Sequence, residues 1–478
     1  MEQGHATGAD VPLVVDMDGT LLKVDSLHET FVQSLAKQPL HAIAALATIM
    51  NGRAAFKKAV ADHVLPDGRT IPVNESVLAA IKEAHGQGRK VYLATASDKR
   101  VAEIIANSVG GFDGVFGSTP PVNLSGKAKA SCLMEAFGRQ GFDYIGNAAA
   151  DIPVWREART ALVVGASDRL MRRLRNEFPG IVELSRQELS IRPFLKSLRP
   201  HQWLKNLLVL VPALAAHDFR PQTLLMLAAA MVSFSFGAST IYLINDMLDL
   251  PHDRVHAEKR RRPLAAGAMS IVQALVLACA TVAISLSLAM MLPWAFMLVL
   301  GIYLVLSMSY ALYLKRKLMV DVVALAALYG IRVVAGGAAV GIHLTDWLVG
   351  FCFFIFLSLA LMKRTTEIMM LPEDNASNVK GRGYRRADLP MLNALTTASG
   401  FVAVVVLALY INSPEVRLLY SRPEVLWGIC MILVYWLGRA FFLTGRCEMR
   451  QDPVVFAATD RISLLSGALF LGVFVLAM

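Results

Sequence analysis

The apolar positions of this chain fall into two patterns. In the first, short apolar runs alternate with amphipathic stretches. Val11–Val15, Lys90–Ala94 and Gly141–Ile145 read as strands, and Glu75–His85, Lys99–Ser108 and Lys127–Phe137 as helices. That alternation predicts a parallel, doubly wound α/β sheet. From Ser26 to about Ala61 the spacing is helical without a strand, which predicts a small helical cap. From Trp203 onward the runs lengthen: Trp203–Ala216, Leu224–Ile244, Ile271–Leu292, Trp294–Leu314, Val320–Ile342, Trp347–Met362, Leu392–Ile411, Val425–Phe442 and Ile462–Met478. Against the ~17–25 residues a spanning helix needs, they predict an all-α polytopic membrane domain of about nine transmembrane helices. The expected organisation is an α/β domain over 1–188, an interfacial linker over 189–202 and a membrane domain over 203–478.

Composition sharpens this picture. Hydrophobic residues make up 55% of the 478, and the net charge is +10. In a membrane protein such an excess points to basic cytoplasmic loops meeting anionic lipid or phosphates, not to nucleic acid. The loops Asn245–Met269, Lys315–Met319, Lys363–Pro390 and Gly445–Arg461 carry clustered Lys and Arg, while the alternate loops are poor in charge. The chain is thus expected as a multi-pass protein of the inner (cell) membrane, its first domain and sites on the cytoplasmic side. The polar N-terminus, with no apolar signal region, agrees. Five scattered cysteines without a C-x-x-C exclude a disulfide framework and a zinc site. Association into a homo-oligomer stays open.

Candidate chemistry concentrates where the second long run ends. Asn245, Asp249 and Asp253 are spaced i, i+4, i+8 and would share a helix face, with Asp246 beside them. Pro251 interrupts that helix, so Asp253 need not stay on the face. Hard oxygens in this pattern suit Mg²⁺, which takes one or two carboxylates plus substrate phosphates. Lys259, Arg260, Arg261 and Arg262 follow, offering charge to the same phosphates. In the first domain, Asp16 and Asp18 directly follow the first strand, where open α/β sheets bind ligands. Thr95 ends the second strand, Lys127 and Lys129 open a helix, and Gly146-Asn147 with Asp151 follow the third.

These last residues resemble the haloacid dehalogenase (HAD) phosphatase superfamily, over roughly Pro12 to Ala166. The resemblance implies an HAD-like fold in which Asp16 is the nucleophile forming an aspartyl-phosphate and Asp18 the acid/base. It also implies phosphoryl binding by Thr95 and Lys129, with Lys127 the competing lysine. Mg²⁺ would lie between Asp16, Asp18 and the loop of Asn147 and Asp151. Asn147 departs from the family, which usually has a carboxylate there. A domain kept for structure or regulation is the alternative.

The helices and the Asn245-Asp246-x-x-Asp249-x-x-x-Asp253 pattern resemble the UbiA superfamily of membrane prenyltransferases. Most of that family has a second aspartate motif between its sixth and seventh helices. Here that loop reads Lys363-Arg364-Thr-Thr-Glu367, then Lys380-Gly-Arg382-Gly-Tyr384-Arg385-Arg386. With Arg199-Pro-His-Gln-Trp-Leu-Lys205-Asn206, His256-x-x-Lys259-x-x-Arg262 and Ile331-Arg332, it is similar to the decaprenyl-phosphate phosphoribosyltransferase branch. That resemblance implies an enzyme taking phosphoribosyl pyrophosphate (PRPP) as donor and a polyprenyl phosphate as acceptor, with Mg²⁺ on Asn245, Asp249 and Asp253 or Asp246. Lys259, Arg262, Lys363 and Arg364 become candidates for the donor phosphates, and Glu367 for metal or ribose. Lys205, Asn206, Tyr310, Lys315 and Arg332 become candidates for the lipid phosphate. The first domain would then remove the 5-phosphate of the product. The competing expectations are an aromatic prenyltransferase using a prenyl diphosphate, a transporter, and a scaffold role for the HAD-like domain.

Overall fold

The computed structural model describes residues 11–186, 190–370, 383–449 and 452–478. The expected boundary at 188/189 and the basic pair Lys380 and Arg382 lie outside the described residues. The chain divides into two compact units: Met1–Ser197 with Asp246–Leu277, and Leu198–Asn245 with Ala278–Met478.

The first unit is built on a six-stranded parallel sheet in the order β3-β2-β1-β4-β5-β6. Its strands are β1 (Leu13–Val15), β2 (Val91–Asp98), β3 (Gly114–Ser118), β4 (Asp143–Gly146), β5 (Thr160–Ala166) and β6 (Val182–Arg186). Residues of β1 pair with β2 along one edge and β4 along the other, and all three are buried. This is why it reads as a plain apolar run. The expected doubly wound parallel sheet is present, and three strands beyond the expected ones extend it. The pattern of β3 and β6 is short and half-buried, too weak a signal to separate from loop. Strand order reverses between β1 and β4, which places the loops after β1, β2 and β4 around one crevice. At the opposite end, Asp143 accepts hydrogen bonds from Arg159 at 2.9 and 2.6 Å and pairs with Arg89.

The expected cap is also present, as α1 (Ser26–Lys37), α2 (Pro39–Ala47) and α3 (Arg53–His63). Asp25 starts α1 by accepting the main-chain N–H of His28, a standard N-cap contact. Residues Asp246–Leu277 fold with this unit. There Arg254 makes a bidentate, buried ion pair with Glu29 of α1, one of its bonds 2.8 Å long. Gly267 has φ +72°, and a side chain there would press on Lys23 and Pro72 at 2.9 and 3.0 Å. Only glycine meets both demands.

The second unit is helical. Among the described residues seven helices are long and apolar enough to cross a membrane, or eight if the pair Pro453–Thr459 and Arg461–Ala477, bent by 77°, forms one span. The count of about nine narrows because Trp203–Ala216 is not one long helix. It is a 3-10 run, Pro200–Leu210, followed by the short helix Val211–Ala215. Proline at the start of each piece interrupts continuous α-helix hydrogen bonding. This segment also buries Lys205 and Asn206 inside the unit, where a lipid-facing helix would not put them. Trp203 donates its indole N–H to Ser239 at 3.1 Å. The helix Val320–Val340 is the most enclosed of the seven, and Ile271–Ala289 the least.

Candidate active sites

In the first unit, the crevice contains a cavity of about 200 Å³ lined by Asp16, Asp18, Thr95, Lys129, Asn147 and Asp151, among others. Lys129, from the helix Lys127–Phe137, reaches Asp16 at 2.7 Å, the hydroxyl of Tyr144 at 2.9 Å and Asp151 at 3.6 Å. Lys127 is exposed, so the competition between the two lysines resolves to Lys129. Thr20 donates to the other oxygen of Asp16 at 3.1 Å. Burial pushes the Asp16 carboxyl up to about 7 against the pull of Lys129. Burial also raises Asp18, with Asp25 adding to it; bonds from Ser97 and the Ser26 main chain, both 2.7 Å, oppose the rise. A carboxyl with a raised pKa holds its proton to higher pH and can donate it. Thr95 is buried, and its hydroxyl accepts the main-chain N–H of Ser97 at 3.0 Å.

Asp151, expected as a metal ligand, lines the cavity and also accepts bonds from its own loop. One oxygen accepts from Tyr144 at 2.8 Å, and the other from the main-chain N–H of Asn147 and of Ala148, each at 3.1 Å. These bonds shape the loop. Asn147 packs its side chain against Gly19, at φ +75°, where an added Cβ would meet it at 2.2 Å. The donor set that Mg²⁺ would draw on here is the Asp16 carboxylate, the Asn147 amide and the Asp18 carbonyl. It fits the ion at its lower limit of one carboxylate, with substrate phosphate supplying further oxygens. Among the described residues no group of three His, Cys, Asp or Glu side chains is arranged to hold a metal.

The acidic loop takes a different form from the single face its spacing predicts. The helix Pro221–Leu248 ends one residue before Asp249, which stands at the N-terminal boundary of the short helix Leu250–Val255 without a side-chain capping bond. The carboxylates of Asp246 and Asp253 are drawn together by Arg262, at 2.9 and 2.5 Å. Arg262, expected on donor phosphate, here neutralises the loop. Lys259 is exposed. Asn245 belongs to the second unit and accepts a long bond, 3.5 Å, from Lys315.

Three buried polar groups form in the second unit. Lys205 and Lys363 donate to the same oxygen of Asp452, at 2.8 and 2.9 Å, and Tyr329 donates to that carboxylate at 3.1 Å. These lysines were expected on different substrates, whereas the structure sets them side by side. Arg332 bonds Asn206 at 2.8 Å and the Tyr303 hydroxyl at 3.2 Å. Arg364 is fully buried between Asp321, at 2.7 Å, and Glu367, while Tyr384 donates to Asp321 at 2.6 Å. Tyr310 is half-buried beside the Phe234 core. Asp452, Tyr329, Tyr303 and Tyr384 were missed because their partners lie 29 to 247 positions away. Lys57, Ser97, Asn123 and Tyr144 in the first unit were missed because no motif contains them.

The UbiA prenyltransferase family matches residues 207–458, more than half of the chain. The chain belongs to this family, and is a multi-pass membrane protein and an enzyme of its class. It is 35% identical over 473 residues to "Uncharacterized protein y4nM" of Sinorhizobium fredii, covering 98% of this chain and 91% of that one. It is 39% identical over 181 residues to the decaprenyl-phosphate phosphoribosyltransferase of Corynebacterium glutamicum, a match spanning 37% of this chain and 54% of that relative. Among solved structures, a UbiA homolog from Archaeoglobus fulgidus bound to DMAPP and Mg²⁺ aligns at 19% identity and TM-score 0.46, over 59% of this chain and 99% of that one. Phosphoserine phosphatase in its apo form aligns at 17% identity and TM-score 0.28, over 39% and 98%.

Proposed function

We propose that the chain transfers 5-phosphoribosyl from PRPP to a polyprenyl phosphate at the cytoplasmic face of the inner membrane, and that its HAD-like domain then removes the 5-phosphate. The observation that carries the first half is the pairing of Lys205 and Lys363 on one carboxylate oxygen, in a chain with basic residues where most relatives have a second aspartate motif. Two ammonium groups this close suit the oxygens of a single phosphate. The likeness to decaprenyl-phosphate phosphoribosyltransferase supports the same donor and acceptor.

In this reading the lipid phosphate oxygen attacks the ribose C1 as pyrophosphate departs, and the protein supplies no nucleophile. Asn245 and Asp249, with Asp246 or Asp253, would hold Mg²⁺, which would neutralise charge on the leaving group. Arg262 holds the latter two carboxylates in place. Lys205 and Lys363 together hold the lipid phosphate, with Arg332, while Arg364, buried between Asp321 and Glu367, positions the helix that carries Lys363. In the second step Asp16 attacks the 5-phosphate, Asp18 protonates the departing ribose oxygen, and Lys129 and Thr95 hold the phosphoryl oxygens. Asp18 then takes a proton from the water that cleaves the aspartyl-phosphate.

The test is a product assay on the full chain in detergent with labelled PRPP, a polyprenyl phosphate and Mg²⁺. The expected lipid product is the ribosyl phosphate, with the 5-phosphorylated lipid accumulating in Asp16→Asn. A full turnover to phosphoribosyl lipid that never releases phosphate would leave the transferase reading and sink the phosphatase one. No lipid product would redirect the search to prenyl diphosphates and aromatic acceptors. The buried pair of Glu29 and Arg254 favours a second role for the first domain, as a brace for the acidic loop. Transferase activity lost in Glu29→Gln but kept in Asp16→Asn would separate that role from phosphatase chemistry.

A further inference from the structure

The cavity of the first unit contains a second cation that the proposed phosphatase step does not use. Lys57 comes from α3, in the helical insert, and lines the same cavity as Asp16 and Lys129. Its Nζ donates to the carbonyl of Ala96 at 2.5 Å and to the side-chain oxygen of Asn123 at 3.1 Å. Both acceptors are neutral, and among the described residues no carboxylate stands within ion-pair distance of it. Lys129 differs: Asp16 and Asp151 both lie close to it. Burial lowers the Lys57 pKa, with the more distant Asp18 and Asp25 pulling the other way. A half-buried ammonium held only by dipoles keeps its charge directed at whatever enters the cavity.

The two anchors fix that charge in place. Ala96 lies near the end of β2 and Asn123 in the loop before the helix Lys127–Phe137, so Lys57 spans from the insert to two loops of the sheet domain. The transferred phosphoryl group already has Lys129 and Thr95. We propose that Lys57 is a specificity-determining residue that recognises a second anionic group on the substrate. The site would then select a phosphomonoester that also carries another phosphate, here the phosphodiester joining ribose to lipid, over a simple monoester. This rests on the phosphatase reading of the cavity and names its substrate class.

The experiment compares kcat/KM for ribose 1,5-bisphosphate and p-nitrophenyl phosphate in the full chain and in Lys57→Met and Lys57→Arg. The expected result is a fall of about 10- to 100-fold in the bisphosphate-to-monoester selectivity ratio in Lys57→Met, the range set by a charge-assisted hydrogen bond. Lys57→Arg should recover most of it. An unchanged ratio in Lys57→Met overturns the proposal, whether both rates fall together or neither does. If the wild-type chain hydrolyses neither ester, the phosphatase reading fails, and calorimetric binding of ribose 1,5-bisphosphate to Asp16→Asn then decides. Affinity weakened about tenfold or more by adding Lys57→Met keeps the anion subsite, and affinity unaltered removes it.

Discussion

The two units collect charge in opposite proportions. In the cavity of the first, Asp16, Asp18, Asp25 and Asp151 face only Lys57 and Lys129. In the second, Lys205, Lys363, Arg332 and Arg364 are set against Asp452, Asp321 and Glu367, and Arg332 is held by neutral oxygens. Acid excess around a buried lysine suits covalent phosphoryl chemistry, where one carboxyl must attack and another must give a proton. Base excess among apolar helices suits the binding of phosphates, because a buried cation is costly until an anion joins it. One unit thus gathers carboxylates around a buried lysine, and the other gathers cations around fewer carboxylates.

The comparison is most directly tested by removing the nucleophile. Asp16→Asn should lower phosphate release by about 10³-fold or more, as loss of a covalent nucleophile does, with phosphoribosyl lipid still formed in the mass-resolved assay. Parallel loss of both activities would end the separation of roles. Asp249→Ala should act in reverse, cutting lipid product by about 10²-fold or more through lost metal binding, while a supplied phosphomonoester is still hydrolysed. Chelation of the metal by EDTA should stop the first reaction in the same assay, and excess Mg²⁺ should restore it.

A smaller effect probes the base-rich cluster. Asp452→Asn leaves Lys205 and Lys363 facing each other without their shared carboxylate, and should cost about 3 kcal/mol of stability. A polyprenyl phosphate should then raise the thermal midpoint more in the variant than in the wild type, because its phosphate takes over the lost charge. An equal rise in both would argue that the two lysines are only a structural clasp. The smallest effect belongs to Asp143. Its burial favours the neutral form, but Arg159 and Arg89 outweigh this and hold the carboxyl below its ordinary 3.8. A depressed folded pKa adds stability above the unfolded value and loses it as pH falls through the folded one. Asp143→Asn should therefore cost about 2 kcal/mol near neutrality, and the gap in denaturation midpoints should close below about pH 3.8.

What could be read beforehand differed between the units for a physical reason. In a parallel sheet, ligand-binding side chains follow the strand ends, so Asp16, Asp18, Thr95 and Lys129 were visible as short signals next to apolar runs. Tyr144 and Lys57 were not. One is an ordinary strand residue by pattern, the other an ordinary helix-surface lysine, and only the closing of α3 over the sheet brings Lys57 to the cavity. In the helical unit single charges stood out against apolar background, but their pairing did not. Lys205 and Asp452 are 247 positions apart, and no periodicity carries information over that span.

The sequence by itself determined the division into an α/β part and a membrane part, the strand-end carboxylates, and the acidic stretch after a long apolar run. These follow from local rules, since hydrophobic period sets the element and backbone chemistry sets its ends. Tertiary structure alone decided that Asp151 shapes a loop, that Arg262 draws Asp246 and Asp253 together, that Glu29 holds Arg254, and that one carboxylate gathers two lysines. Each is a buried charge finding its partners, main-chain N–H groups and a hydroxyl for Asp151 and counter-charges for the others. Which partner it finds depends on where the fold excludes water, and that is a property of the packed chain.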